Sequence, residues 1–224
     1  MAELAEWLQQ HAPCGYEIDV AGWCVAARRV ASPNCNARPA SSEVELVVLH
    51  NIHLPPGKPF AGHDVEHLFT NTLDRSAHPS YPQLAELRVS AHFFLRRDGC
   101  LLQFVPTTAR AWHAGVSSWQ GRPGCNDFSV GIELEGSDFI AFEPIQYAVL
   151  DMLLAALCKR HPVVAIAGHS DVAPGRKTDP GPWFDWRRVR TGLQEGHVRV
   201  AGGEQNSAPA AELRPDGASP QQST

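Results

Sequence analysis

Three short segments of the 224-residue chain set a metal-capable side chain at the end of an apolar run or inside a Gly/Pro-rich turn. They are His50 in LHN, His169 in GHSD and Asp179 in KTDPG. Imidazole nitrogen and carboxylate oxygen are the usual donors to a catalytic zinc, which takes three protein ligands and leaves a fourth position open. The His-Glu-x-x-His pattern of single-helix zinc proteases is absent, so these donors would have to converge from separate elements. Eleven histidines are present, and a lone histidine is more often hydrogen-bonded or exposed than a ligand. His53, His63, His67, His78 and His161 have no comparable context and read as surface residues. His92, inside an apolar run, reads as a packed histidine. The six cysteines, Cys14, Cys24, Cys35, Cys100, Cys125 and Cys158, form no C-x-x-C pair. Neither a thiolate zinc site nor a redox motif is indicated, and free thiols in a reducing compartment are expected.

The elements that would carry these groups can be traced from periodicity. Residues 44–50 (VELVVLH) are β-branched and apolar, as in a mostly buried strand, and end on His50. Residues 64–71 suggest one or two helical turns. Residues 88–96, Asp98-Gly99 and residues 101–105 read as a hairpin. Residues 129–135 (SVGIELE) alternate, with Gly131, Glu133 and Glu135 on one face and Val130, Ile132 and Leu134 on the other. Pro144 suits the first turn of a helix running to about Arg160, with Ile145, Val149, Leu153 and Leu157 near helical spacing. Residues 163–167 form a short buried strand before His169, and a last short helix is predicted to start near Asp185. Residues 1–42 read as an irregular lead-in, 43–200 as the folded domain and 201–224 as a disordered tail without periodicity.

Composition narrows the class of function. Hydrophobic residues make up 43% and charged residues 19% of the chain, and no apolar run reaches the ~18 residues of a membrane span. A formal net charge of -5 argues against nucleic acid or an anionic membrane as partner, since both need clustered Lys and Arg. No Lys or Arg precedes Arg28, and Glu3 and Glu6 interrupt the opening segment, so no secretory signal is expected and a cytoplasmic location is.

Five stretches, VVLHNIHLPPG, LRVSAHFFLRRDG, AWHAGVSSWQGR, CNDFSVGIELEG and GHSDVAPGRKTDPGPWFDW, resemble the family of zinc amidases that cleave N-acetylmuramic acid from L-alanine. That family also includes phage amidase lysozymes and peptidoglycan recognition proteins. The resemblance runs over residues 23–190. It implies a single α/β (α+β) domain, a mixed central β-sheet flanked by helices with a zinc site at one edge. It implies Zn2+ held by His50, His169 and Asp179, and a soluble anhydro-muramoyl peptide as substrate of a monomeric enzyme. It assigns Glu133 to proton transfer, although strand parity alone does not separate it from Glu135, for which a solvated role is expected. Lys177 is assigned to the developing oxyanion. Asn51, Arg88, Trp112 and His113 are expected to line the cleft, Arg88 facing a peptide carboxylate and Trp112 a sugar face. Where the family pattern leads one to expect an arginine before Cys125, this chain has Gly124, so Arg122 is expected to take over that grip or the peptide is held less tightly. Two other readings remain: an exported or phage-type amidase acting on intact wall, and a peptidoglycan-binding module without activity.

Overall fold

The computed structural model describes residues 6, 15–60, 62–193 and 198–202. Its strands are β1 (Arg28–Arg29), β2 (Cys35–Ala37), β3 (Leu46–Ile52), β4 (Phe93–Leu95), β5 (Leu101–Gln103), β6 (Ala109–Ala111), β7 (Ser118–Trp119), β8 (Arg122–Pro123), β9 (Ser129–Glu135), β10 (Ala165–Gly168) and β11 (Arg199–Val200). The helices are α1 (Asp64–Phe69), α2 (Tyr81–Leu84), α3 (Pro144–Arg160), α4 (His169–Val172) and α5 (Trp186–Gly192). Seven strands form a mixed sheet in the order β1-β5-β4-β9-β3-β10-β11. Only the β4–β5 hairpin is antiparallel. Two small antiparallel pairs, β2–β6 and β7–β8, stand outside it.

The central strands explain themselves by their apolar runs. β3 is buried from Leu46 to His50, and its neighbour β9 is buried except at Glu133. Such strands, covered on both faces, need apolar side chains on both. α3 covers one face with Val149, Leu150, Leu153, Leu154 and Leu157, which join Val47, Leu49, Val130, Ile132 and Ile166 in the main core. The helix starts at Glu143 with a capping box closed by Gln146, carries Pro144 in its first turn and ends on Lys159 and Arg160. Each of these features opposes fraying. Leu150 is fully buried, and Leu150→Ala is expected to cost about 2–5 kcal/mol in denaturant unfolding.

Asp151, on the same helix, is held where a charge is poorly served. Among the described residues its Oδ1 is buried without a hydrogen-bond partner, and burial, opposed by Arg188, pushes its carboxyl up to about 6. A folded-state value above the unfolded one means the carboxyl favours folding when protonated. That advantage is complete below the ordinary value of 3.8 and lost as pH rises through about 6. Asp151→Asn is therefore expected to gain about 1 kcal/mol at pH 7, discounted for partial exposure, and nothing near pH 4, read from melts at the two pH values.

Two expectations change. The strand predicted over 88–96 shrinks to Phe93–Leu95, while the Ser90 amide bonds instead to the carbonyl of Trp112 and the His92 amide to that of Gly131. Residues 15–42 are irregular but not merely a lead-in. β1 is an edge strand of the main sheet, and Ile18 and Cys24 belong to the main core. Arg38 donates to the carbonyls of Thr107, Asn126, Asp127 and Ser129, the last at 2.8 Å. Its guanidinium thus ties this segment to the start of β9. Arg38→Ala is expected to cost about 2–4 kcal/mol of unfolding free energy, because charge-assisted bonds to buried carbonyls would be lost. Of the tail expected to be disordered, 201–224, Ala201 donates to the Ile166 carbonyl at 2.9 Å and Gly202 accepts from Arg190, and residues 203–224 lie outside the described residues.

Candidate metal centre and cleft

Sheet geometry brings the candidate groups together. β3 and β9 run parallel with His50 in register with Glu133, and β3 and β10 run parallel with Leu49 opposite Gly168. Registered residues of parallel neighbours share a face, so His50 and Glu133 lie on the face opposite α3, and His169 follows β10 at the same level. The site therefore occupies the carboxyl-end rim of central strands, where open parallel sheets bind ligands, and not an edge strand. Asp179 arrives on the loop after α4, and its carbonyl accepts a 2.9 Å hydrogen bond from the Ser170 amide beside His169.

The donor atoms form a triangle. His50 Nδ1 lies 3.0 Å from His169 Nδ1 and 3.0 Å from Asp179 Oδ2, and His169 Nδ1 is 3.0 Å from the same oxygen. A tetrahedral zinc with ligands at about 2.0 Å spaces them about 3.3 Å apart, so the three fit one face of such a site. His169 Nε2 faces the carbonyl of Ala114 at 3.1 Å. A carbonyl only accepts, so the proton sits on Nε2 and the lone pair of Nδ1 points into the triangle. Burial, opposed by Asp179, pushes His50 down to about 4, which keeps it neutral as a ligand must be. Burial alone would raise Asp179, but its contacts with His169 and His50 hold it well below the usual carboxylate range. The donor set thus suits a divalent cation with one open side.

That open side faces a cleft of about 800 Å³ lined by the triangle together with Glu133, Lys177, Trp112 and His113. Glu133 Oε2 is buried without a hydrogen-bond partner among the described residues. Burial first, then the charge of Asp179, raises its pKa well above the usual carboxylate range, against the pull of Lys177. Glu135, expected to be solvated, is instead 7% exposed and accepts from the Arg97 amide at 3.0 Å. Of the two acids on that face, one turns to the cleft and the other caps a turn.

The other residues expected to line the cleft divide. Trp112 lines it, its indole N–H held by Asn36 Oδ1 at 2.8 Å. Asn51 also lines it, but its amide donates to Asp138 Oδ1 at 2.7 Å and to the Pro180 carbonyl at 3.0 Å. Its donors hold the Asp179 loop. His113 is packed against His50, its Nδ1 2.9 Å from His50 Nε2. Arg88 and Arg122 are not among the residues lining the cleft. Arg88 donates to the carbonyls of Ala85, Glu86 and Leu87 at the end of α2. Arg122 pairs with Glu45 at 3.1 Å and stacks on Phe128. The arginine grip expected of Arg122 is therefore absent at this cleft.

Two residues with no signal in the sequence buttress the site. Asp138 accepts from both Asn51 and Thr178, so it ties the residue after His50 to the residue before Asp179. Arg176 donates to the carbonyls of Ala114 and Val116 at 2.8 and 2.7 Å, joining the His113 loop to the Asp179 loop. His92 is fully buried, accepting from the Gly131 amide and facing the Ala109 carbonyl, as its apolar context implied.

Comparison with known proteins gives a consistent set of similarities. The Amidase_2 family, described as N-acetylmuramoyl-L-alanine amidase, matches residues 40–182. The chain is 54% identical over 171 residues to the 1,6-anhydro-N-acetylmuramyl-L-alanine amidase AmpD of Citrobacter freundii, covering 75% of this chain and 91% of that protein. It is 43% identical to AmpD of Haemophilus influenzae, over 77% of this chain and 95% of the relative. Among solved structures, a selenomethionine derivative of AmpD superposes with a TM-score of 0.75 at 52% identity, covering 77% of this chain and 97% of the other. The Escherichia coli amidase AmiD, in complex with anhydro-N-acetylmuramic acid-L-Ala-D-γ-Glu-L-Lys, superposes with a TM-score of 0.50 at 27% identity, over 80% of this chain and 66% of the other.

Proposed function

Because the chain belongs to the N-acetylmuramoyl-L-alanine amidase family, we propose that His50, His169 and Asp179 hold a zinc ion and that Glu133 and Lys177 carry out the proton and charge steps of amide hydrolysis. The enzyme cleaves the amide bond between N-acetylmuramic acid and L-alanine in peptidoglycan recycling. The observation that carries the assignment of residues is the 3.0 Å triangle of donors facing a cleft that also holds the Glu133 carboxylate, whose Oε2 has no hydrogen-bond partner among the described residues.

When bound at the triangle, the cation supplies Lewis acidity, lowering the pKa of water and polarising a carbonyl. Glu133 takes the proton from the water that attacks the lactyl carbonyl and returns it to the departing nitrogen of L-alanine. Burial and the charge of Asp179 raise its proton affinity, which favours its taking up that proton. Lys177 lines the cleft with Asp179, and we assign its ammonium to the negative charge that develops on the carbonyl oxygen. Trp112 offers an apolar surface to the sugar. Asn51 acts through Asp138 and the Asp179 loop. Lys177→Ala is expected to lower kcat on the order of 10²–10³-fold with zinc content unchanged, the loss typical of a single oxyanion donor. An unchanged kcat would make Lys177 an ordinary loop residue.

We assign the substrate as a soluble anhydro-muramoyl peptide, a reading supported by the extent of identity to AmpD and by the ligand bound to AmiD. We place the enzyme in the cytoplasm as a monomer. No described helix is long and apolar enough to cross a membrane. Incubation with an anhydro-N-acetylmuramoyl tripeptide should give anhydro-N-acetylmuramic acid and the free tripeptide by mass. Uncut tripeptide together with clearing of purified sacculi would favour an enzyme of intact wall.

A further inference from the structure

His50 turns Nδ1 to the donor triangle and Nε2 to His113 Nδ1, 2.9 Å away. The far nitrogen of His113, Nε2, lies 3.1 Å from the hydroxyl of Ser129, which is fully buried. The ring of His113 sits against bare backbone, for a Cβ at Gly131 would come within 2.5 Å of its Nδ1. Ser129, His113 and His50 thus form a file leading from the start of β9 to the triangle.

A neutral imidazole has one N–H and one lone pair, so such a file runs in one of two directions. In the first, Ser129 donates to His113 Nε2, His113 Nδ1–H donates to His50 Nε2, and His50 Nδ1–H donates to Asp179 Oδ2 at 3.0 Å. In the second, His50 Nε2–H donates to His113 Nδ1, His113 Nε2–H donates to Ser129 Oγ, and His50 turns a lone pair to the triangle. Both contain the same number of protons. Only the second leaves His50 Nδ1 free to bind a cation. Without a cation the first is favoured, because Asp179 Oδ2 and the lone pair of His169 Nδ1 both face His50 Nδ1 at 3.0 Å. His169 is held to one tautomer by the Ala114 carbonyl 3.1 Å from its Nε2, which only accepts and lies closer than the Arg176 guanidinium at 3.5 Å.

We propose that His113, backed by Ser129, is a positioning residue that sets the tautomer of His50, and that divalent cation binding at the triangle reverses the whole file as one unit. The inference rests on the triangle being a metal centre. It makes the two histidine ligands unequal: His169 is preset, whereas His50 is switched through its neighbour. Partners of this kind typically contribute 10-fold to 100-fold to metal affinity.

The test uses the full-length protein labelled with 15N. Imidazole nitrogen–proton correlation spectra, recorded before and after one equivalent of Zn2+, should show the proton of His113 moving from Nδ1 to Nε2 while that of His169 stays on Nε2. Zinc binding with an unchanged His113 tautomer would overturn the switch and leave the metal centre standing. Failure to bind zinc would overturn both. In chelator competition, His113→Ala should lose affinity about 10-fold to 100-fold. His113→Asn, whose Oδ1 falls near the place of Nδ1 and can accept from His50, should recover most of it. Equal losses in the two variants would assign His113 to packing alone.

Discussion

Glu133→Gln is expected to lose turnover on the order of 10²–10⁴-fold while keeping its zinc, the span ascribed to a positioned general acid–base group. The substitution preserves size and leaves the three donor atoms untouched. It removes only the ability to accept a proton. The carboxylate has no competing role: its Oε2 has no hydrogen-bond partner among the described residues, and the side chain faces the cleft. Glu135→Gln provides the contrast, because Glu135 accepts from the Arg97 amide and is buried at the strand end. That variant should retain most turnover and show its effect in the melting temperature. Steady-state kinetics on an anhydro-muramoyl tripeptide, with metal analysis on the same samples, measures both. Equal losses in the two variants would mean that Glu133 is not the proton carrier.

His169→Ala should abolish zinc binding and reduce turnover to background. The imidazole is preset by the Ala114 carbonyl and contributes one corner of a triangle whose other corners are 3.0 Å away. Two donors remain after its removal, fewer than the three protein ligands that catalytic zinc sites keep. The variant is also expected to lose stability, since Asp179 would sit 14% exposed beside His50 with one partner fewer. Metal analysis after dialysis, supported by circular dichroism to establish folding, gives the readout. A folded variant retaining one zinc per chain would remove His169 from the site.

Much of the site was readable before any coordinates, for particular physical reasons. His50 ends an apolar run, and a polar side chain at such a place needs polar partners of its own. His169 and Asp179 lie where Gly and Pro interrupt periodicity, which marks shaped loops at the end of strands. The alternation in β9 put Glu133 and Glu135 on one face, and Pro144 marked the start of α3. In each case the information is local, carried by residue type and by periods of two or 3.6 residues.

Other features depended on which distant groups meet. Glu133 and Glu135 were equivalent by parity until the register of β9 with β3 put Glu133 beside His50 and the turn at Arg97 captured Glu135. Arg88 and Arg122 carry the charge that a peptide carboxylate would want, yet one is spent on the end of α2 and the other on Glu45 and Phe128. Asn51 became a strut because Asp138, 87 positions away, lies 2.7 Å from its amide. His113, which lines the cleft as expected, also reaches His50 because Gly131 has no side chain to exclude its ring. Sequence by itself determined which groups could bind a cation and which strands and helix would carry them, since those properties belong to single residues and short periods. Only the tertiary structure decided which charges are already neutralised and which hydrogen bonds are already spent, because those depend on partners brought within about 3 Å from far along the chain.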